Sequence, residues 1–432
     1  MILIYDLLFI ISVLWYLPVY AFKRKFHRGF LMRLGFLPPD IKNKLGDARP
    51  IWLHAVSVGE VNALRLLLKG LHKEYPHTPL IISTVTPTGN AVAASIARKE
   101  DLVFYLPLDI SAVVRYVVKI IRPALFIIAE TEIWPNLISC LYKNKVPMAI
   151  VNARISDKSF RKYRVIKFCL APILNKIAQF CVQTNTDALR LRELGVGDEK
   201  IMVTGNMKFD TTDYAESPSE KNTGYADYRK KLGLNEDDKL FVAGSTHPGE
   251  EEKILWVYKE LLKEFGNLKL LLAPRHPRRT QDIERLVLNN DFKAMPISQL
   301  GRIRLQAQRT TVFILDTIGQ LLPFYAISGL VFVGGSLIKK GGQNLLEPAA
   351  FAKPVLFGPY MFNFRDIARI FIENKACVLV RDREELLDGV KGLLRNPSKM
   401  TELGARARQL ILQNQGATER NLECIRKIAL VL

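Results

Sequence analysis

Short apolar runs alternate along the chain with amphipathic stretches of helical length, the pattern of buried parallel strands joined by crossover helices. Ile51–His54, Leu80–Ser83, Leu102–Tyr105, Ala124–Ala129, Ala149–Asn152 and Phe180–Gln183 are the expected strands of a first α/β domain. The stretch Thr211–Asp227, TTDYAESPSEKNTGYAD, is polar, contains Pro and Gly, and has no periodicity, so it is expected to be a linker. The alternation resumes at Leu240–Ala243, Lys269–Ala273, Val312–Leu315, Leu330–Val333 and Val355–Gly358. The fold class is therefore α/β, with two doubly wound Rossmann-like domains at 23–210 and 228–400. Residues 401–432 form a C-terminal helical segment that can pack back on the first domain. Two such domains facing each other would gather their strand ends around one cleft, where folds of this kind bind ligands.

The first 22 residues break this rhythm. Met1 to Phe22 is apolar except for Asp6 and interrupted again at Pro18, and Lys23, Arg24, Lys25, Arg28 and Arg33 follow at once. A secretory signal carries its charge before the apolar run, so the segment is expected to stay attached as a single membrane anchor, with everything after Lys23 on the cytoplasmic side. Trp15, Tyr16 and Tyr20 suit a membrane interface. A second stretch, Arg154 to Lys167, interleaves cations with Phe160, Tyr163 and Ile166. It fits either a surface resting on anionic headgroups or a solvated helix face.

Composition narrows the chemistry. The 432 residues carry a net charge of +20, and residues 1–210 hold 29 basic and 16 acidic side chains against 33 and 26 in the remainder. The first half is thus the side expected to meet an anionic partner. A hydrophobic fraction of 49% excludes a disordered polycation. The five cysteines lie far apart, the six histidines include no HExxH, and no Asp-x-Asp occurs. No disulfide framework, metal or cofactor is expected, and no nucleic-acid signature accompanies the positive charge.

Six constellations fall at predicted strand ends. In His54-Ala-Val-Ser57-Val-Gly59-Glu60, a carboxylate near a helix start suits a general base or a plain helix N-terminal acid. In Glu130-Thr-Glu132-Ile-Trp134-Pro135-Asn136, two carboxylates at i and i+2 demand a cation or a substrate hydroxyl if they are buried. Gly205-Asn206-Met-Lys208-Phe-Asp210 offers a lysine beside the linker. Gly244 to Glu252 is a small-residue loop whose amides could take an anion. Pro274-Arg275-His276-Pro277-Arg278-Arg279 aims cations from a stiff loop, a pattern suited to phosphate or carboxylate. Gly334 to Glu347 pairs glycine turns with a helix whose expected N-cap is Asn344, an anion cradle with Glu347 placed for ribose hydroxyls.

HAVSVGE, ETEIWPN, NARIS, GNMKFD, PRHPRR and NLLEPAA, in this order, resemble the Kdo (3-deoxy-D-manno-octulosonic acid) transferases of lipopolysaccharide assembly across nearly the whole chain. The resemblance implies an inverting, metal-independent glycosyltransferase of the B fold that moves Kdo from CMP-Kdo to the tetra-acylated lipid A precursor, lipid IVA. It further implies work at the cytoplasmic face of an anionic bacterial inner membrane. Carried over by motif, Glu60 is the general base, and Glu130 and Lys208 stabilise the transition state. CMP is held by Pro274 and Arg275, by Ile318, Gly319 and Gln320, and by Asn344, Leu345, Leu346 and Glu347. The family commonly shows Met-Gly-Glu where this chain has Ile318-Gly319-Gln320, a swap that removes a charge. Two other readings stay open on the residues alone: a sugar-nucleotide epimerase of the same fold, and a non-catalytic protein that binds anionic lipid.

Overall fold

The computed structural model describes residues 5–13, 15, 29–38, 40–210, 222–302 and 310–429. The chain forms two units, Met1–Thr211 with Asn414–Leu432, and Thr212–Gln413.

The first unit is built on β1 (Ile51–His54), β2 (Leu80–Thr84), β3 (Leu102–Tyr105), β4 (Leu125–Ala129), β5 (Met148–Ala153), β6 (Gln179–Val182) and β7 (Ile201–Val203). They form one sheet in the order β3-β2-β1-β4-β5-β6-β7, every pairing parallel. β1, β2, β4, β5 and β6 are buried along their whole length, which is why they read as unbroken apolar runs. Helices cover both faces. One core layer gathers Trp52, Phe104, Phe126 and Phe180, the other Leu53, Leu67, Ile82 and Ile127. The second layer also takes in Leu422 and Ile425 of the helix Ala417–Ile428, so the chain returns to the first unit to complete it. The expected segment 401–432 therefore divides: the helix Pro397–Asn414 belongs with the second unit, and the chain changes unit at Asn414.

The second unit repeats the plan with β8 (Lys239–Thr246), β9 (Leu268–Pro274), β10 (Lys293–Pro296), β11 (Thr311–Ile314), β12 (Leu330–Val333), β13 (Val355–Phe357) and β14 (Val378–Leu379). Its order is β10-β11-β9-β8-β12-β13-β14, again parallel throughout. Residues 211–221 of the expected linker lie outside the described residues, but its remainder opens a helix, Asn222–Lys231. Polar composition hid this helix because two aromatic side chains supply its packing: Tyr225 meets Phe351 edge-on at 5.9 Å and Tyr228 meets Phe324 at 5.4 Å.

Among the described residues no helix is long and apolar enough to cross a membrane. Of the expected anchor, residues 5–13 are helical, and residues 1–4, 14 and 16–22 lie outside the described residues. Asp6, which breaks the apolar run, is an attachment point: it accepts hydrogen bonds from Asn136 Nδ2 (2.6 Å) and the Ser111 amide (3.1 Å) of the first unit. Leu7, Leu8, Ile11 and Trp15 are exposed.

Candidate active site

In the first sheet the strand order reverses between β1 and β4, the point outside which ligands bind in open parallel sheets. β1 leads through Ala55–Ser57 into the helix Val58–Ala63, and Glu60 stands in its first turn. The Glu60 carboxylate folds back to accept the Val56 amide at 2.6 Å and the Ser57 hydroxyl at 2.9 Å, which fixes its rotamer. Burial is the main cause of a pKa raised to about 7; the Val56 and Ser57 bonds oppose it, and the charges of Glu130 and Glu132 add to it.

Glu130 follows β4 with φ +56, a left-handed conformation that costs a non-glycine residue about 1–3 kcal/mol. Lys208 Nζ donates to its Oε1 at 3.1 Å, supplying the cation that the paired carboxylates require. The loop carrying Lys208 is held from several sides. Asn152 Oδ1 accepts the Met207 amide at 3.0 Å, Asn206 Oδ1 accepts the Lys208 amide at 3.0 Å, and Asp210 accepts the amides of Gly416 and Thr418. Asn421 Oδ1 in turn accepts the Asn152 amide at 3.3 Å. Glu60, Glu130 and Lys208 are thus brought to one site by three strand ends and the returning C-terminal helix.

Three further residues at this site are outside the catalytic set that the resemblance implies. Burial and then the Glu130 charge raise the Glu132 carboxyl above its ordinary range. Burial and then Glu132 raise the Tyr163 hydroxyl in the same way. His54 stands edge-on to Trp134 at 6.0 Å, with Nδ1 3.0 Å from both the Ser83 carbonyl and hydroxyl. Burial holds its pKa down to about 3, so the ring is neutral. The motifs contain His54 and Glu132, and that is the signal by which they could have been found.

The second unit holds the expected nucleotide residues. Pro274 ends β9 and is buried; Arg275 is exposed, and its amide donates to the Thr246 carbonyl at 2.9 Å. Burial raises the Glu347 carboxyl, while the Asn344 bond and then the Arg275 charge act to lower it. Asn344 Nδ2 donates to Glu347 Oε1 at 3.1 Å. His247 and His276 meet edge-on at 6.0 Å. Ile318 and Gly319 lie on an exposed turn with Gly319 at φ +82, and Thr317 donates to Gln320 Oε1 at 2.9 Å. Gln320 lines a recess of about 350 Å³ with Tyr228, Lys231 and Ser298, whose lining includes neither Arg275 nor Glu347.

Three expectations for this unit change. The amides at the first glycine pair are not open to an external anion: fully buried Glu250 accepts those of Gly335 (2.7 Å), Ser336 (3.1 Å) and Leu337 (3.0 Å), together with His247 N (3.0 Å). A protein carboxylate fills the cradle. Next, the helix at Asn344 is only Leu346–Ala350, with Leu345 at the cap position, although Asn344 Oδ1 still accepts the Leu346 amide at 3.1 Å. Lastly, Arg279 is committed to the fully buried Glu251 at 2.8 Å, and Thr246 Oγ1 donates to the same oxygen at 2.8 Å. That pair is structural.

Comparison with known proteins identifies the family. Residues 28–211 match the family described as 3-Deoxy-D-manno-octulosonic-acid transferase (kdotransferase). The chain is 35% identical over 381 residues to the 3-deoxy-D-manno-octulosonic acid transferase of Haemophilus influenzae, covering 87% of this chain and 86% of that protein. It is 31% identical to the enzyme of the same name from Chlamydophila psittaci, over 98% of this chain and 96% of that one. In fold it is similar to UDP-GlcNAc 2-epimerase from Neisseria meningitidis, with a TM-score of 0.58 at 14% identity over 88% of this chain and all of that one (100%). The chain belongs to the 3-deoxy-D-manno-octulosonic acid (Kdo) transferase family of glycosyltransferases.

Proposed function

We propose that this protein moves Kdo from CMP-Kdo to lipid IVA, with inversion at the anomeric carbon, at the cytoplasmic face of the bacterial inner membrane. The observation that carries the reading is Glu60: a nearly buried carboxyl at the switch point, its rotamer fixed, with a pKa of about 7. A base works best when its pKa lies near the working pH. The Glu60 carboxylate takes the proton of an acceptor hydroxyl as that oxygen attacks the anomeric carbon of Kdo, and the bond from that carbon to the phosphate oxygen breaks, releasing CMP. Lys208, oriented by Glu130, stabilises the charge that develops. Arg275 holds the phosphate, Glu347 and Asn344 hold ribose hydroxyls, and Pro274, Ile318, Gly319, Gln320, Leu345 and Leu346 complete the CMP contacts.

The protein is held at the membrane by its N-terminal apolar run. Exposed Leu7, Leu8, Ile11 and Trp15 support this, as do exposed Val165 and Phe168 among the cations of Arg161–Lys167. Because Asp6 is bonded to the unit that follows Lys23, a helix lying in the interface fits better than one that crosses. Incubation of the purified protein with CMP-Kdo and radiolabelled lipid IVA tests the reading. It is expected to give CMP and an acceptor heavier by Kdo. An altered nucleotide sugar without acceptor product would assign an epimerase instead, and intact ligand with no product would assign a binding protein.

A further inference from the structure

The first unit contains a groove of about 210 Å³ lined by Tyr5, Pro135, Ser139, Ile166, Cys169 and Leu170, among others. Tyr5 comes from the N-terminal helix that Asp6 ties down; the other residues come from the helices Pro135–Lys143 and Lys167–Leu174 and from Ile166 before the latter. The polar groups of its lining are engaged: Asn136 is bonded to Asp109 and Asp6, Tyr5 is hydrogen-bonded to Asp109, and Lys176 donates to Ser139 Oγ at 2.7 Å. An apolar cavity of about 150 Å³ holds a benzene ring, so this groove takes a slender apolar group and not a sugar nucleotide.

Its surroundings say what kind of group. Ile166 of its lining is exposed, as are Val165 and Phe168 beside it in the chain, the last 92% exposed, and Arg161, Lys162 and Arg164 stand exposed in the same stretch. An apolar slot with exposed cations in the chain leading to its mouth complements an amphiphile with an anionic head. Two elements connect the slot to the carboxylates: Pro135 opens its helix three residues beyond Glu132, and Tyr163, which feels the Glu132 charge, lies one turn before Ile166.

We infer that this groove receives one acyl chain of the acceptor lipid, so that the acceptor's sugar is delivered to Glu60 by a chain seated between the N-terminal helix and the helices Pro135–Lys143 and Lys167–Leu174. The inference rests on the acceptor being a lipid, as proposed above. Cys169 and Ile166 are exposed, so both can be changed without cutting into the core. In the full-length protein, Cys169→Trp fills the slot and Ile166→Asp charges its mouth. The test compares kcat/KM for the tetra-acylated acceptor with kcat/KM for the same phosphorylated disaccharide stripped of its chains. Each variant is expected to lower the ratio of the two about tenfold, the effect of expelling about two methylene groups from an apolar site. An unchanged ratio would overturn the inference. So would weaker flotation with acceptor-free phospholipid vesicles at an unchanged ratio, which would give the groove to the bilayer. Calorimetric titration of the acylated acceptor without donor separates this inference from the proposed reaction. Tighter binding of the acylated form that Cys169→Trp weakens about tenfold, in a protein that transfers nothing, would support the groove and overturn the transferase reading.

Discussion

Two glutamates occupy the same place in the two units and do different things. Each follows the first strand of its sheet, beside the point where strand order reverses: Glu60 after β1 and Glu250 after β8. Burial raises the carboxyl of both. Glu60 has one amide and one hydroxyl on it and two acidic neighbours, which leaves lone pairs free and a proton easily exchanged. Glu250 has four backbone amides on it, from two loops, and is a staple. The number of donors aimed at a buried acid decides whether it can work as a base or only holds the chain.

The sharpest way to break this contrast is to remove each acid in turn. Glu60→Gln is expected to lower the transfer rate by about two to four orders of magnitude while calorimetry finds CMP affinity unchanged, because shape is kept and the base is lost. Near-normal turnover at neutral pH would remove Glu60 from the role. Glu250→Ala leaves buried amides without an acceptor and is expected to destabilise the second unit by about 2–4 kcal/mol in denaturant titration. Glu60→Ala should change stability by under about 1 kcal/mol, since the Glu60 carboxylate is itself held against burial. Equal losses for the two would erase the distinction.

Arg275→Ala sharpens the comparison from the donor side. A charge-assisted contact is worth about 1.5–3 kcal/mol, so CMP affinity should fall about 10- to 100-fold with the Glu60 chemistry intact. Unchanged CMP binding would move the phosphate elsewhere. The smallest effect is expected in the pH profile. With Glu60 as the proposed base its unprotonated form is the one that works, so kcat/KM should rise with pH and level off above about 7. Glu132→Gln removes a neighbouring like charge, stabilises the ionised Glu60 and should shift that inflection to lower pH. A shift upward would contradict the electrostatics of the cluster.

How far these features were legible in the sequence follows from burial. The central strands are buried on both faces and read as unbroken apolar runs. β7, β10 and β14 were missed because each is a sheet edge of two to four residues, too short and too exposed to stand out as a buried run. At the site, Glu60, Glu130 and Lys208 were visible because each sits in a local motif at a strand end. The Glu250 staple was not, since it joins residues 85 positions apart, and the same glycines that suggest an open cradle serve a closed one equally well. Arg279 was misread for the same reason: its partner Glu251 lies on another strand's crossover.

The return of the helix Ala417–Ile428 to the first unit also sets a schedule. During synthesis, Glu60, Glu130 and Lys208 are all made before the second unit begins, yet the Asp210 and Asn152 bonds that seat the Lys208 loop need Gly416, Thr418 and Asn421. At about 5–20 residues per second, a ribosome takes roughly 10–40 s to cover that interval. Throughout it the Lys208 loop keeps its bonds to Glu130, Asn206 and Asn152 but lacks those from Asp210 to the C-terminal segment. The first unit therefore closes its last hydrogen bonds only after the second unit has been made, and a chain broken off before Gly416 lacks them.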